Sequence, residues 1–198
     1  MKIWIAFIIL FTWIMPQLIA QETTDFNMKR KRHKLSFELI NNLIVIPVTV
    51  NDIQLRFILD SGVGTTLIFN NQNVEKIFLD QLDVFNLQGL GKGPLVKASL
   101  SKGNTIAIKS LTATNQEILL IDETNFEFIQ RMGVQIDGII GHTLIKDYLL
   151  RIDYSATTIE FFKYGTIPKR HLKNGFQLPL IFHKKNLLFF LTFKQKKE

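Results

Sequence analysis

Two β-rich segments separated by a tight turn constrain this chain most, because the second one leads directly into an aspartate. Leu43–Val50 is rich in β-branched residues, Ile53–Leu59 alternates before it becomes fully apolar, and the pair Asn51-Asp52 between them is a hairpin turn signal. The second segment ends in three apolar residues just before Asp60. The pattern predicts a hairpin whose second strand carries Asp60 to its end. Pro47, inside the first segment, predicts an edge position or a bulge.

The rest of the chain consists mainly of further short strands. Strand patterns occur at 66–69, 95–100, 105–108, 118–121, 150–154 and 158–162. Residues 71–86 form a weak helical or irregular stretch, and helical patterns occur at 126–132 and 142–149. Many short strands separated by Gly- and Asn-containing turns favour an all-β barrel or sandwich. With 198 residues, of which 46% are hydrophobic, the chain is long enough for one core of ordinary size.

Composition excludes several kinds of site. Cysteine is absent, which rules out disulfides, thiolate zinc sites and a thiol nucleophile. The four histidines show no metal-ligand spacing, so we expect neither a metal nor a cofactor. The net charge of +7 comes partly from a basic run at 28–34. We interpret this run as a solvated linker. Because no aromatic residues alternate with it to stack on bases, we expect no nucleic-acid partner.

The first twenty residues have the layout of a secretory signal peptide. Lys2 precedes an apolar run at 3–15, Pro16 ends the run, and the predicted cleavage follows Ala20. The run is shorter than the roughly 20 residues that span a bilayer. We therefore expect export to the periplasm or exterior of a bacterial cell, with no stable membrane insertion after cleavage. The alternative is an uncleaved N-terminal membrane anchor.

The triplet Asp60-Ser61-Gly62 supplies the residue types that one half of an aspartic protease site needs. In that chemistry two carboxylates a few ångströms apart share one proton. The ionised carboxylate activates a water, and the protonated one polarises the peptide carbonyl. The Asp must end a buried strand, a hydroxyl residue follows, and a glycine lets the backbone turn close to the pair. The same triplet also marks ordinary turns, so its neighbours decide between the two interpretations.

Those neighbours resemble the retropepsin family. The segment Leu59-Asp60-Ser61-Gly62-Val63-Gly64-Thr65-Thr66-Leu67 is similar to its active-site signature. Downstream, Gly138-Ile139-Ile140-Gly141 resembles the strand that supports the active-site loop from behind, and a helical pattern follows it. Between the two, Gly89-Leu90-Gly91-Lys92-Gly93 resembles the flap that covers the substrate. The resemblance covers roughly residues 36–165, and it points to bacterial secreted two-lobed aspartyl proteases, some of which carry a PDZ domain.

The resemblance implies a closed, all-β retropepsin-like barrel lobe with one short helix and an aspartic endopeptidase that hydrolyses polypeptides. It makes Asp60 the catalytic residue, and Ser61, Gly62 and Thr66 the supports of its loop. Val63 stands where Ala or Ser is usual, and its β-branch is expected to crowd the loop. Asp137 is expected to be a structural turn acceptor.

The chain contains no second Asp-Thr/Ser-Gly triplet, so the other carboxylate must come from elsewhere. One alternative is a homodimer in which each copy supplies Asp60. The other is a second lobe, because residues 176–193 weakly repeat 37–50.

We therefore expect a signal peptide at 1–20, a basic linker at 21–34, the lobe at 35–165, and a linker with the opening strands of a truncated second lobe at 166–198. The alternative function is a catalytically inactive truncated lobe that acts as a binding or assembly module. A third and weaker alternative is a non-enzymatic β-barrel that binds lipid or nucleic acid through the basic run.

Overall fold

The computed structural model describes residues 25–71, 74, 83–87, 95–122, 132–169, 180–183 and 186–189. In chain order its strands are β1 (Asn27–Met28), β2 (Arg32–Ser36), β3 (Glu38–Ile40), β4 (Leu43–Val50), β5 (Ile53–Leu59), β6 (Thr66–Asn70), β7 (Asp83–Leu87), β8 (Val96–Ile108), β9 (Leu111–Asp122), β10 (Gly138–Ile140), β11 (Leu149–Asp153), β12 (Thr158–Phe162), β13 (Leu180–His183) and β14 (Asn186–Phe189). The helix α1 (His142–Ile145) lies between β10 and β11.

Six strands close into a barrel. β9 pairs with β6, β6 with β10, β10 with β5, β5 with β4, and β4 with β8, which pairs again with β9. A closed circuit leaves no unpaired strand edge within the barrel. β1, β3 and β7 extend it by pairing with β9, β4 and β8 respectively. Over the described residues, the predicted all-β fold with one short helix is confirmed.

The predicted hairpin before Asp60 is formed by β4 and β5, with Val50 opposite Ile53. Its turn residues, Asn51 and Asp52, have φ of 44° and 69°. Positive φ at both positions is typical of a type I′ hairpin turn, and Asn and Asp tolerate that conformation better than most residues. Pro47 is exposed and lies between the stretch of β4 that pairs with β3 and the stretch that pairs with β8. Its missing N–H therefore costs the sheet no partner on that side.

The end of strand β5 is covered on both faces, which explains why its alternating pattern becomes fully apolar there. Leu55 and Phe57 face the barrel interior, where they are fully buried. Ile58 faces outward into a second cluster with Val45 and Phe69. The outer cluster also contains Met132, Ile136 and Ile139. A strand buried on both faces reads as a continuous apolar run.

A separate three-stranded sheet, with the order β11-β12-β2, corrects the linker prediction for residues 32–34. β2 pairs antiparallel with β12, and His33 lies opposite Phe161. His33 and Leu35 are buried while Arg32 and Lys34 are exposed. The charged residues of the run made it resemble a linker, although its side chains alternate between an exposed and a buried face of a strand. Met28 in β1, also inside the predicted linker, is buried as well.

Two helical predictions also differ from the structure. Residues 83–86, assigned to a weak helical or irregular stretch, belong to β7, which pairs with β8. The helix predicted over 142–149 ends at Ile145, because Leu149 already begins the hairpin strand β11. Residues 126–131 of the remaining helical prediction lie outside the described part of the chain.

Near the C-terminus, β13 and β14 form a two-stranded hairpin in the segment assigned to a second lobe. That assignment, like the domain boundaries at 1–20 and 166–198, stays a prediction. Over the described ranges, no helix has the length and apolar character that crossing a bilayer requires.

Candidate active site

The short strand β10 positions the Asp60 loop by lying between β5 and β6. It runs parallel to β5, with Ile140 opposite Leu59, and antiparallel to β6, with Ile139 opposite Leu67. Asp60 follows β5 directly, and its backbone N–H donates to the carbonyl of Ile140 over 3.0 Å. The end of β5 is therefore fixed by a strand that comes about eighty residues later in the chain.

The glycines that flank β10 allow this close packing. A Cβ at Gly138 would lie 2.3 Å from the carbonyl oxygen of Leu67 and 2.7 Å from the ring of Phe57. A Cβ at Gly141 would lie 1.8 Å from the carbonyl oxygen of Asp60. No side chain fits at either distance, so both positions require glycine for the space rather than for their φ.

The loop itself is a tight turn that presents the Asp60 carboxylate to solvent. The Val63 N–H donates to the Asp60 carbonyl over 3.2 Å, and the Gly62 N–H donates to Asp60 Oδ1 over 2.8 Å. The Asp60 residue is exposed. Ser61 is exposed too, and its hydroxyl makes no hydrogen bond with any group that the structure describes. The turn thus binds one carboxylate oxygen through the Gly62 N–H and leaves the carboxylate accessible to solvent.

Helix α1 holds the far side of the loop. The His142 N–H donates to the Val63 carbonyl over 2.8 Å. Thr66, which is buried, lies with its Oγ1 3.4 Å from Oγ1 of Thr143. Val63 packs its side chain against the outer cluster, so its β-branch is accommodated there instead of crowding the loop. Sequence reasoning missed Thr143, since a single Thr after Gly-His carries no distinctive signal.

Asp137 anchors the opposite end of β10. It makes more hydrogen bonds than the predicted role of turn acceptor would require. Its residue is 1% exposed, and its Oδ2 accepts from the backbone N–H of Arg56 over 2.8 Å. The Asp137 N–H donates to the Arg56 carbonyl, and its own carbonyl accepts from the Phe69 N–H, both over 2.8 Å. Asn71 Nδ2 donates to Asp137 Oδ1 over 3.2 Å. Asp137 therefore joins β5, β6 and β10 at the end remote from Asp60.

The predicted flap, Gly89 to Gly93, lies outside the described residues. The strands on either side of it are described, and they pair antiparallel as β7 and β8 with Leu87 opposite Val96. Val84 and Leu95 beside that connection are 60% and 59% exposed.

An N-terminal segment, which the sequence placed in the linker, packs beside α1. Asp25 forms an ion pair with Lys146, and the Tyr148 hydroxyl donates to the carbonyl of the buried Phe26. Asp25 and Lys146 line an open cavity of about 190 Å³ that also touches Gly64 and Thr65 of the Asp60 loop. These contacts join residues more than a hundred positions apart, so no local sequence pattern predicts them.

Over the described part of the chain, no group of three or more His, Cys, Asp or Glu is placed to hold a metal.

The comparison with protein families decides the class to which this lobe belongs. The family model described as "Aspartyl protease" matches residues 46–144, which is half of the chain. The chain belongs to the aspartyl protease family. The matched segment runs from β4 to α1 and includes the Asp60 loop and β10.

A solved structure and the curated proteins complete the comparison. A crystal structure of a retropepsin-like aspartic protease from Rickettsia conorii is similar to 71% of this chain, over 94% of its own length, with 14% sequence identity and a TM-score of 0.46. No curated protein matches this chain significantly. The predicted resemblance to an aspartic protease lobe is confirmed by the family model, while the two-lobed secreted subgroup stays a prediction.

Proposed function

We propose that this aspartyl protease family member is an endopeptidase in which Asp60 is one of two catalytic carboxylates. The observation that carries the proposal is the placement of Asp60. Its carboxylate is exposed at the end of a strand buried on both faces, on a turn fixed by backbone hydrogen bonds from β10 and α1. Rigid placement of an accessible acid is what general acid–base chemistry on a bound substrate requires.

The two oxygens of the Asp60 carboxylate would have different roles. The Gly62 N–H occupies Asp60 Oδ1 and orients the carboxylate. No donor among the described residues reaches Oδ2, which leaves that oxygen for a water or for a proton shared with a second carboxylate. The pair would deprotonate the attacking water and protonate the peptide carbonyl without a covalent intermediate.

The second carboxylate is proposed to come from another lobe. A second copy of the chain would supply its own Asp60 across a two-fold axis. A second lobe that begins with the hairpin β13–β14 would supply it within one longer chain. Sedimentation separates the two, because the first alternative requires a dimer in every active sample. We further propose that the protein is exported, on the strength of the apolar run at 3–15 that Pro16 ends.

The test is cleavage of an unfolded polypeptide by the wild type and by two matched variants. Asp60→Asn keeps the shape of the side chain and should reduce cleavage to background across roughly pH 3 to 7. Asp52→Asn changes the same residue type in the exposed β4–β5 turn and should leave cleavage unchanged, since Asn is equally suited to a positive φ. Both should unfold at the wild-type temperature. Cleavage retained by folded Asp60→Asn refutes the proposal.

The absence of a second Asp-Thr/Ser-Gly triplet favours a second candidate, an inactive lobe that binds polypeptides. It predicts that the folded wild type cleaves nothing at any pH in that range. It also predicts that Asp60→Asn and the wild type bind an unfolded polypeptide with equal affinity. Cleavage that depends on Asp60 excludes this candidate.

A further inference from the structure

The fold gathers exposed cations from three separate segments around the β1–β2 connection. We define the basic patch as Lys29, Arg30, Lys31, Lys109 and Lys163, all of which are exposed. Lys29 to Lys31 form the connection itself, Lys109 lies in the β8–β9 turn, and Lys163 follows β12. A solvated linker would carry only the first three, so the patch is a property of the tertiary structure.

Backbone and side-chain contacts place these segments against one another. The Lys163 N–H donates to the Lys31 carbonyl over 3.3 Å. The Thr166 hydroxyl lies 2.7 Å from the Lys163 carbonyl oxygen and 3.2 Å from the Lys31 carbonyl oxygen. Ser110, next to Lys109, lies with its Oγ 3.0 Å from Nδ1 of His33 in β2. Lys29 and Ser110 line the same open cavity, of about 420 Å³. The connection at 29–31 is therefore flanked by Lys163 on one side and by Lys109 on the other.

The acidic side chains of this region are already engaged elsewhere. Asp25, which also lines the cavity, forms its ion pair with Lys146. Glu160 is buried between Arg32 and Arg151, and it forms an ion pair with each. None of the five patch cations forms an ion pair with a side chain that the structure describes. The patch thus presents concentrated positive charge to solvent.

We propose that the basic patch is a docking surface for an anionic lipid bilayer. Each Lys or Arg near such a surface contributes attraction, and the effect adds over a cluster. Tyr164, next to Lys163, is 66% exposed, and an exposed amphipathic ring beside cations is typical of residues that rest at a membrane interface. A nucleic acid is less well matched, because the run at 29–34 has no aromatic residues interleaved for base stacking.

The experiment measures binding of the full chain to vesicles by co-sedimentation. Vesicles of phosphatidylcholine alone report any contribution of the apolar segment at 3–15. Vesicles with about one third phosphatidylglycerol add the negative charge that the patch would recognise. Binding should be stronger to the anionic vesicles, and the difference should vanish as salt rises from about 0.05 to 0.5 M. Equal binding to both kinds of vesicle overturns the proposal.

Two double variants test the location. Lys31→Gln with Lys163→Gln removes one exposed charge from each of two patch segments, and should weaken anionic binding roughly thirtyfold at low salt. Lys97→Gln with Lys102→Gln removes two exposed charges from the part of β8 away from Lys109. This variant should bind the anionic vesicles nearly as strongly as the wild type does. Equal weakening by both variants would mean that net charge alone drives binding, and would overturn the proposal.

Binding of a single-stranded RNA oligonucleotide, measured beside vesicle binding, decides whether the partner of the basic patch is a nucleic acid or a membrane. If a single-stranded RNA binds with the same dependence on Lys31 and Lys163 while anionic vesicles do not bind, the partner is a nucleic acid and the membrane proposal is wrong. None of these measurements reads peptidase activity, so their outcome is independent of the proposed catalytic function.

Discussion

Replacing Gly141 by alanine should displace the Asp60 loop and destabilise the lobe together. The added Cβ would lie 1.8 Å from the Asp60 carbonyl oxygen and 2.8 Å from the Val63 carbonyl oxygen, whereas ordinary contact begins near 3.4 Å. Both obstructing atoms are backbone, so no side-chain rotation relieves the overlap. Either β10 or the loop must move by more than an ångström.

The loss of folding stability follows from the hydrogen bonds that this movement breaks. The 3.0 Å hydrogen bond from Asp60 N–H to Ile140 and the 2.8 Å bond from His142 N–H to Val63 flank Gly141, and we expect the movement to break both. Two lost hydrogen bonds at about 1 kcal/mol each and overpacking of about 1–3 kcal/mol give a loss of about 3–5 kcal/mol. For a chain of this size each kcal/mol lowers the unfolding temperature by about 2–4 °C, so we expect a fall of about 10 °C.

Thermal unfolding followed by circular dichroism measures this loss, and two glycine variants serve as controls. Gly62→Ala adds a methyl to the same loop but meets only Asp60 Oδ1, at 3.3 Å, so it should cost under about 1 kcal/mol. Gly165→Ala meets nothing within 4 Å, but its φ of 74° is unfavourable for alanine, so it should cost about 1–2 kcal/mol. An unfolding temperature for Gly141→Ala no lower than that of either control would refute the packing argument.

Two further predictions concern buried groups away from the loop. Asp137→Ala removes the acceptor for the Arg56 N–H and the Asn71 amide, and should lower the free energy of unfolding by about 2–4 kcal/mol in urea titrations, with Asp137→Asn losing less; a loss under about 1 kcal/mol for Asp137→Ala would contradict the anchoring role. Burial, and then the charge of Lys109, lowers the pKa of His33 from its ordinary value of 6.5, so the unfolded chain binds a proton first as the pH falls and stability should decline below about pH 6.5. Urea titrations should show a weaker decline for His33→Gln, and an identical pH dependence in both proteins would count against the assignment.

Much of the site was predictable because its residues are local in sequence. The two-residue turn at Asn51-Asp52, the apolar end of β5 and the triplet Asp60-Ser61-Gly62 follow one another, so period, turn chemistry and residue type are visible together. The strand Gly138 to Gly141 was also recognisable, since an apolar pair between glycines is an uncommon pattern. The catalytic role of these residues remains the proposal that Asp60→Asn tests.

Other features were invisible to the sequence because they depend on residues distant in the chain. The basic run at 28–34 was interpreted as a linker, yet His33 and Leu35 are covered by partners that come more than seventy positions later. Asp137 looked like a turn residue until its carboxylate was seen to accept from Arg56 and Asn71. Charged side chains dominated both patterns and concealed which neighbours would bury them.

The sequence by itself determined the hairpin, the Asp60 turn and the glycines behind it, because each depends on backbone conformations that only a few residue types adopt. Only the tertiary structure decided which strand lies against that turn, which acid anchors it, and which cations share a surface. Those outcomes depend on pairing between segments separated by many residues, and a sequence pattern carries no record of which segments meet.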